Sequence, residues 1–90
     1  MATLFVQHKV NDYATWRAVY DSVEGLQARG GVVEQAVYRS VDDPNTTLVM
    51  HRFGSAGEMR AFMESSELRE AMGKAGVIES SMRVEFYEET

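Results

Sequence analysis

The 90-residue chain has no cysteine, only one proline, and no apolar run longer than a few residues. Without cysteine the protein forms no disulfide and uses no thiolate nucleophile, and its apolar runs fall far short of a membrane span. Positive charge is also scarce. Nine lysine and arginine residues stand singly among fourteen acidic ones, and the net charge is −5. Because no basic stripe can track a phosphate backbone, we expect no nucleic-acid partner, and the short apolar runs predict no membrane partner.

The remaining composition is typical of one soluble globular domain. Hydrophobic residues make up 44% and charged residues 26% of the chain, as in folded proteins generally. No linker, repeat or low-complexity segment divides residues 1–90, so we predict a single domain. A strand-like segment follows Met1 and Ala2 with no signal-peptide core before it, which predicts a cytoplasmic protein. No metal motif and no glycine-rich phosphate loop occurs, so we predict no metal and no cofactor.

The first half of the chain predicts a strand followed by a helix. Apolar residues alternate from Thr3 to Lys9, which is strand spacing. Asn11-Asp12 then supplies an N-cap, because a short side-chain oxygen can accept from the first amides of a helix. Gly30 and Gly31 end that helix. Apolar or long side chains recur along it at steps of three and four residues: Trp16, Val19, Tyr20, Val23, Leu26 and Gln27.

The second half predicts a hairpin, a second helix and a last strand. Ser55 and Glu58 form a capping box at the start of the second helix. Ser65-Ser66 interrupts this helix, and Gly76 ends its short continuation. A turn at residues 42–45, containing the single proline, separates the two hairpin strands. The three strands are Val32 to Val41, Thr46 to Phe53 and Ser81 to Glu88.

The resulting βαββαβ order is typical of an α+β ferredoxin-like sandwich, with four antiparallel strands and both helices on one face. Two short helices cannot cover every apolar strand residue. An uncovered apolar face of that size marks an interface, so we predict a homodimer that closes into a dimeric α+β barrel. The residues that cannot all lie under the helices are Phe5, Val32, Ala36, Tyr38 and several of Leu48, Val49, Met50 and Phe53.

Two groups of residues carry a resemblance to known proteins. They are His8-Lys9-Val10, Asp12-Tyr13, Trp16 and Tyr20-Asp21 near the start, and Phe62 to Arg69 with Ala75-Gly76-Val77 near the end. These groups resemble members of the dimeric α+β barrel superfamily. That superfamily includes antibiotic-biosynthesis monooxygenases, small polyketide cyclases, muconolactone isomerases and haem-degrading enzymes. The resemblance covers nearly the whole chain and implies the fold and a homodimer more specifically than a reaction.

The motifs of the oxygen-using members are missing from this sequence. The cofactor-free monooxygenases typically carry an asparagine on the third strand and a tryptophan four residues later. Val49 and Phe53 occupy the matching positions here. The haem-degrading members also use a histidine on a helix, and neither predicted helix contains one. Oxygen chemistry of those types is therefore weakly supported by the residues.

The two histidines, His8 and His51, are the candidate catalytic residues. Each lies near the C-terminal end of its strand, and we expect the first and third strands to be parallel neighbours. That arrangement would place both imidazoles at one end of the sheet. A histidine with an unperturbed pKa near ~6.5 can give and take protons at neutral pH. The alternative is that one or both are hydrogen-bonded structural residues or lie exposed at the rim.

Aromatic side chains supply the candidate substrate-binding pocket. Helical spacing also explains Phe62 as ordinary core, whereas Trp16 and Tyr20 carry polar groups that need partners when buried. Two strand arginines, Arg39 and Arg52, could bind a carboxylate or phenolate, or could pair with the numerous acidic residues. The residues predicted to shape the pocket are Trp16, Tyr20, Phe53 and Phe62.

The resemblance and the candidate residues together lead to one functional hypothesis and one alternative. The hypothesis is a small homodimeric enzyme that acts without a cofactor on an aromatic or polyketide-like small molecule. Its reaction would be of the cyclase, isomerase or monooxygenase type. The alternative is a non-catalytic dimer, either ligand-binding or stress-associated, in which both histidines are structural.

Overall fold

The computed structural model describes all 90 residues as four strands and four helices. The predicted α+β ferredoxin-like architecture is confirmed, with each predicted helix divided into two. In chain order the elements are β1 (Ala2–Val10), α1 (Tyr13–Ser22), α2 (Glu24–Arg29), β2 (Val32–Arg39), β3 (Thr46–Phe53), α3 (Ala56–Met63), α4 (Ser66–Lys74) and β4 (Val77–Glu88).

The four strands form one sheet in the order β2-β3-β1-β4, and every neighbouring pair is antiparallel. The expectation that β1 and β3 are parallel is therefore wrong. The helical crossover returns β2 to the direction of β1, and the hairpin that follows reverses it for β3. As a result Leu4 lies opposite His51, and His8 lies opposite Thr47. The C-terminal ends of β1 and β3 are at opposite ends of the sheet.

Side-chain caps begin three of the four helices. The Asp12 carboxylate accepts a hydrogen bond from the Thr15 amide at 2.9 Å, and Ser55 Oγ accepts from the Glu58 amide at 3.2 Å. Ser65 caps α4 in the same way, which confirms the predicted interruption of the second helix. The first predicted helix is also divided. Val23 separates α1 from α2, and no side chain caps the start of α2.

Strand ends differ from the prediction at two places. β4 begins at Val77, four residues before the predicted start, because Gly76 at φ 75° turns the chain directly into pairing with β1. β2 ends at Arg39, two residues early, since the chain turns away at Ser40 to form the loop that precedes β3.

The core lies between the helices and one face of the sheet. Residues of β1 at alternate positions face the helices, and the largest fully buried side chains are Phe53, Leu4, Met59 and Thr47. One cluster joins Ala2, Leu4, Val6 and Phe53 to Met59 and Phe62 of α3. A second cluster joins Val10, Trp16, Tyr20, Val49 and Ala75.

The opposite face of the sheet has no helix over it and carries apolar side chains. Phe5 lies opposite Met50 across the β1–β3 pair and contacts the Tyr87 ring at 5.7 Å between centroids. Ala36 and Tyr38 pair with Met50 and Leu48 on the same side. We call these residues, Phe5, Ala36, Tyr38, Leu48, Met50 and Tyr87, the outer face.

Three residues that the sequence left available for the uncovered side lie on the helix side instead. Val32 pairs with Phe53, and Val49 belongs to the buried cluster around Trp16. Strand alternation explains this, because neighbouring residues of β3 point to opposite faces. None of the helices has the length and apolar content that crossing a membrane requires.

Candidate functional site

A small cavity of about 60 Å³ lies between the helix side of the sheet and α1, α3 and α4. Its wall is mostly apolar, and its polar side chains are two imidazoles and one phenol. The predicted residues His8, His51, Trp16, Tyr20 and Phe62 all reach it. The full lining is Leu4, Val6, His8, Trp16, Tyr20, Val49, His51, Phe62, Met63, Leu68 and Met72.

His51 and Tyr20 meet at one end of this cavity. The Tyr20 hydroxyl lies 2.9 Å from His51 Nε2 and also donates a hydrogen bond to Oε1 of Gln35. Because the phenol has a single proton, its oxygen accepts from the imidazole, which places the ring proton of His51 on Nε2. Nδ1 of His51 has no partner. The fully buried side-chain polar atom without a hydrogen-bond partner is Arg52 Nε, so Nδ1 of His51 retains some accessible surface, and the residue lines the cavity.

Burial shifts the proton affinities of both groups. His51 is 5% exposed, and loss of hydration lowers its pKa to about 4, because a buried charge is disfavoured. The same cause raises the pKa of Tyr20 to about 12, with the amide of Gln27 acting in the opposite direction. At neutral pH the pair is therefore an uncharged imidazole hydrogen-bonded to an uncharged phenol.

His8 occupies the other end of the cavity. Its Nδ1 lies 2.9 Å from Thr47 Oγ1, and that hydroxyl also donates weakly to the His8 carbonyl. Burial lowers the pKa of His8 as well, partly offset by a backbone hydrogen bond. Thr47 is fully buried, so this second polar contact ends inside the protein.

A row of aromatic rings separates the two imidazoles. Ring centroids are 5.6 Å apart for His8 and Trp16, 5.0 Å for Trp16 and Tyr20, and 6.0 Å for Tyr20 and His51. The histidines share the cavity, but the expectation that they adjoin at one end of the sheet is wrong. His51 lies four residues along β3 from the partner of His8, which is about 13 Å at the usual rise per strand residue.

The remaining candidates take different positions. Phe62 contacts the His51 ring edge-on at 5.5 Å and forms part of the wall. Phe53 is fully buried behind Phe62 and does not line the cavity. Arg52 lies on the uncovered side of the sheet and pairs with Glu34 and Glu89.

Arg39 lies at the exposed end of β2. Its guanidinium stacks over the Tyr13 ring at 4.5 Å. It has no ion pair, so of the two strand arginines only Arg52 pairs with acidic residues.

Several contacts of the cavity residues were not identified from the sequence. Gln35 reaches Tyr20 because β2 has an irregularity between Val32 and Glu34, which resets the alternation of the strand. Thr47 could have been found from its place two residues before Val49 on the inward side of β3. Part of the wall comes from three half-buried side chains of α3 and α4, namely Met63, Leu68 and Met72. No three His, Cys, Asp or Glu side chains are grouped closely enough to hold a metal ion.

Solved structures of other proteins share this architecture. A protein from Bordetella bronchiseptica, described as an antibiotic biosynthesis monooxygenase, superposes with a TM-score of 0.81 at 17% identity, over 99% of this chain and 96% of that one. The chain has the fold of the antibiotic-biosynthesis monooxygenases. The resemblance stated from the sequence is confirmed at this level.

Two further solved structures show the range of proteins with this fold. SnoaB from Streptomyces nogalater, a cofactor-independent oxygenase, gives a TM-score of 0.72 at 15% identity, over 99% of this chain and 94% of that one. A conserved protein from Methanosarcina mazei gives 0.69 at 11% identity, over 99% and 92%. No protein-family model matches the sequence, and no curated protein matches it either. At these identities the similarity establishes the fold alone, so the reaction has to be argued from the cavity.

Proposed function

We propose that the protein is a small homodimeric enzyme that acts without a cofactor on an aromatic or polyketide-like molecule held in the cavity. The reaction is of the cyclase, isomerase or monooxygenase type. The observation that best supports this proposal is the 2.9 Å contact between Tyr20 and His51 in a mostly apolar wall. An oriented imidazole in such a wall suits proton transfer with an apolar ligand.

The three reaction types can share one step, removal of a proton made acidic by a carbonyl group or a phenol ring. In this proposal Nδ1 of His51 accepts that proton, because Nε2 is already bonded to Tyr20. The lowered pKa keeps His51 uncharged and ready to accept at neutral pH. The anion formed on the ligand lies beside the new imidazolium and stabilises it, so the pKa of His51 rises in the complex. His8 is the second candidate, at the far end of the ligand.

Ligand binding requires the cavity to enlarge. An apolar cavity of about 150 Å³ is known to hold benzene, and this one measures about 60 Å³. Met63, Leu68 and Met72 form the movable part of the wall, because no residue of α4 is fully buried and methionine readily changes rotamer. We therefore propose that α4 shifts outward when a ring enters between Trp16 and His51.

The outer face supports the proposed homodimer. Tyr38 and Tyr87 are 54% and 50% exposed, and Phe5, Leu48 and Met50 lie between them on neighbouring strands. A contiguous apolar patch of this kind is typical of an interface in a soluble protein. A second copy related by a twofold axis would cover it with an identical surface.

The test combines binding and turnover. A panel of phenols, naphthols and aryl ketones is titrated while the fluorescence of Trp16, the single tryptophan, is followed, and product formation is measured for every compound that binds. His51→Gln keeps a polar side chain of similar size, and His8→Gln is the matched variant at the other end. Binding retained with turnover lost in His51→Gln supports the proposal. Binding with no turnover by the unmodified protein favours the alternative, a non-catalytic ligand-binding dimer.

A further inference from the structure

Tyr20 lines both the inner cavity and a separate polar cleft on the protein surface. Its ring faces the cavity beside Trp16 and His51. Its hydroxyl reaches an outer cleft of about 180 Å³. The other residues of that cleft are Asp21, Glu24, Gln27 and Gln35. The phenol therefore stands between a buried imidazole and a polar, open depression.

The hydrogen bonds run in one direction through this residue. Nε2–H of His51 donates to the Tyr20 oxygen, and the Tyr20 O–H donates outward to Gln35. Gln35 is itself exposed, so the chain of donors ends at solvent. His8 has no equivalent, because its partner Thr47 is fully buried and bonds back to the His8 carbonyl.

We infer that the Tyr20 hydroxyl is the route by which His51 exchanges protons with solvent through the outer cleft. The inference takes His51 as the proton-transfer residue proposed above, and it makes Tyr20 a positioning and relay residue in addition to part of the wall. Its test needs no substrate, so it stands or fails separately from the proposed reaction.

The proton balance of one exchange involves two bonds broken and two formed. Starting from His51 protonated on both nitrogens, the Nε2–H bond breaks as that proton bonds to the Tyr20 oxygen. At the same time the original Tyr20 O–H bond breaks, and its proton passes to solvent in the cleft. His51 is left neutral with its proton on Nδ1, and Tyr20 regains a proton as it loses one. The resting form returns when the Nδ1 proton passes to the ligand anion and a solvent proton enters by the reverse route, through Tyr20 to Nε2. The high pKa of Tyr20 fits this concerted transfer, since a free phenolate is not populated at neutral pH.

Charges around the cleft are arranged to receive a proton. Asp21 and Glu24 are exposed carboxylates at its edge. Arg17 pairs with Asp21 at 3.1 Å and lies 5.5 Å from the centre of the Tyr20 ring. Glu24 has no ion pair, so one uncompensated negative charge remains where the proton leaves.

The experiment measures exchange of the histidine ring N–H protons with water by NMR of protein labelled with ¹⁵N-histidine. In the unmodified protein we expect His51 to carry its proton on Nε2. In Tyr20→Phe, which keeps the ring and removes the hydroxyl, we expect exchange at His51 to slow at least tenfold. His8 serves as the internal control in the same spectra and should not change.

A second variant removes the outward hydrogen-bond acceptor and leaves Tyr20 in place. Gln35→Met keeps the size of the side chain but replaces its amide with an apolar thioether, so it should also slow exchange at His51. Unchanged or faster exchange in both variants would overturn the inference, because solvent would then reach His51 through the cavity. If exchange is unchanged but His51→Gln still abolishes turnover, the route is wrong and the role of His51 stands.

Discussion

Acidification from pH 7 to pH 5 should destabilise the protein through His51, and the His51→Gln variant should remove most of that effect. The ring is 5% exposed, and its pKa in the folded protein is about 4, against an ordinary value of 6.5. Between these two pKa values, His51 is therefore protonated in the unfolded chain and unprotonated in the folded chain. The stability that His51 contributes is present above pH 6.5 and is lost as the pH falls towards 4.

The size of the loss follows from these two values. Between the two pKa values, each pH unit costs about 1.36 kcal/mol. At pH 7 His51 is already partly protonated in the unfolded chain, and at pH 5 it begins to be protonated in the folded chain. Acidification from pH 7 to pH 5 therefore costs about 2 kcal/mol. The pKa of His8 is lowered as well, and it adds to the loss in both proteins. Asp12 and Asp43 have lowered pKa values and lose their stabilising contacts only below their ordinary range near 3.8, outside this window.

The assay is urea unfolding at pH 7, 6 and 5, at one fixed protein concentration, followed by Trp16 fluorescence. We expect the unmodified protein to lose about 2 kcal/mol more than His51→Gln between pH 7 and pH 5. Glutamine is the matched replacement because its amide can still bond to Tyr20 without titrating. Parallel pH profiles for the two proteins would refute the reasoning and show that His51 is solvated in the folded state.

Three further predictions concern the fold and the outer face. Phe5→Asp should leave a folded monomer of 10.1 kDa by light scattering, whereas Leu4→Asp on the buried side should prevent folding; dimers of the Phe5 variant would contradict the assignment. Ser55→Ala should lower the free energy of unfolding by about 1 kcal/mol, because α3 loses its cap. Ser66 caps no helix, so Ser66→Ala should leave the free energy of unfolding unchanged. Met59→Ala should cost about 2–5 kcal/mol because the side chain is fully buried; a smaller loss would mean that the core collapses around the gap.

The order of elements could be predicted because it depends on local signals. Alternation along β1, the caps at Asp12 and Ser55, and the glycine stop at Gly76 each act within a few residues. Alternation groups His8 with Leu4 and Val6, and His51 with Val49 and Phe53, but it does not tell which side of the sheet the helices cover. What failed was strand direction, because the pairing of β1 with β3 depends on the path of the whole chain and not on either strand.

The contacts within the site are non-local and were harder to predict. Tyr20 reaches His51 across 31 positions of sequence and Gln35 across 15. The contact between Tyr20 and Gln35 also depends on the irregularity after Val32, which no residue type in the sequence predicts. Phe53 shows the same limit in another way: the sequence left it available for either face, and only packing shows that it lies on the helix side against Phe62.

The proposed role of His51 is tested most directly by deuterium exchange into a bound ligand. An aryl ketone that binds in the cavity is incubated in D₂O at saturating concentration, and the loss of its acidic C–H signal is followed by NMR. We expect the unmodified protein to accelerate the exchange well above the buffer rate and His51→Gln to return it to that rate with binding retained. Equal acceleration by both proteins would contradict the account, because the proton would then be removed without the imidazole of His51.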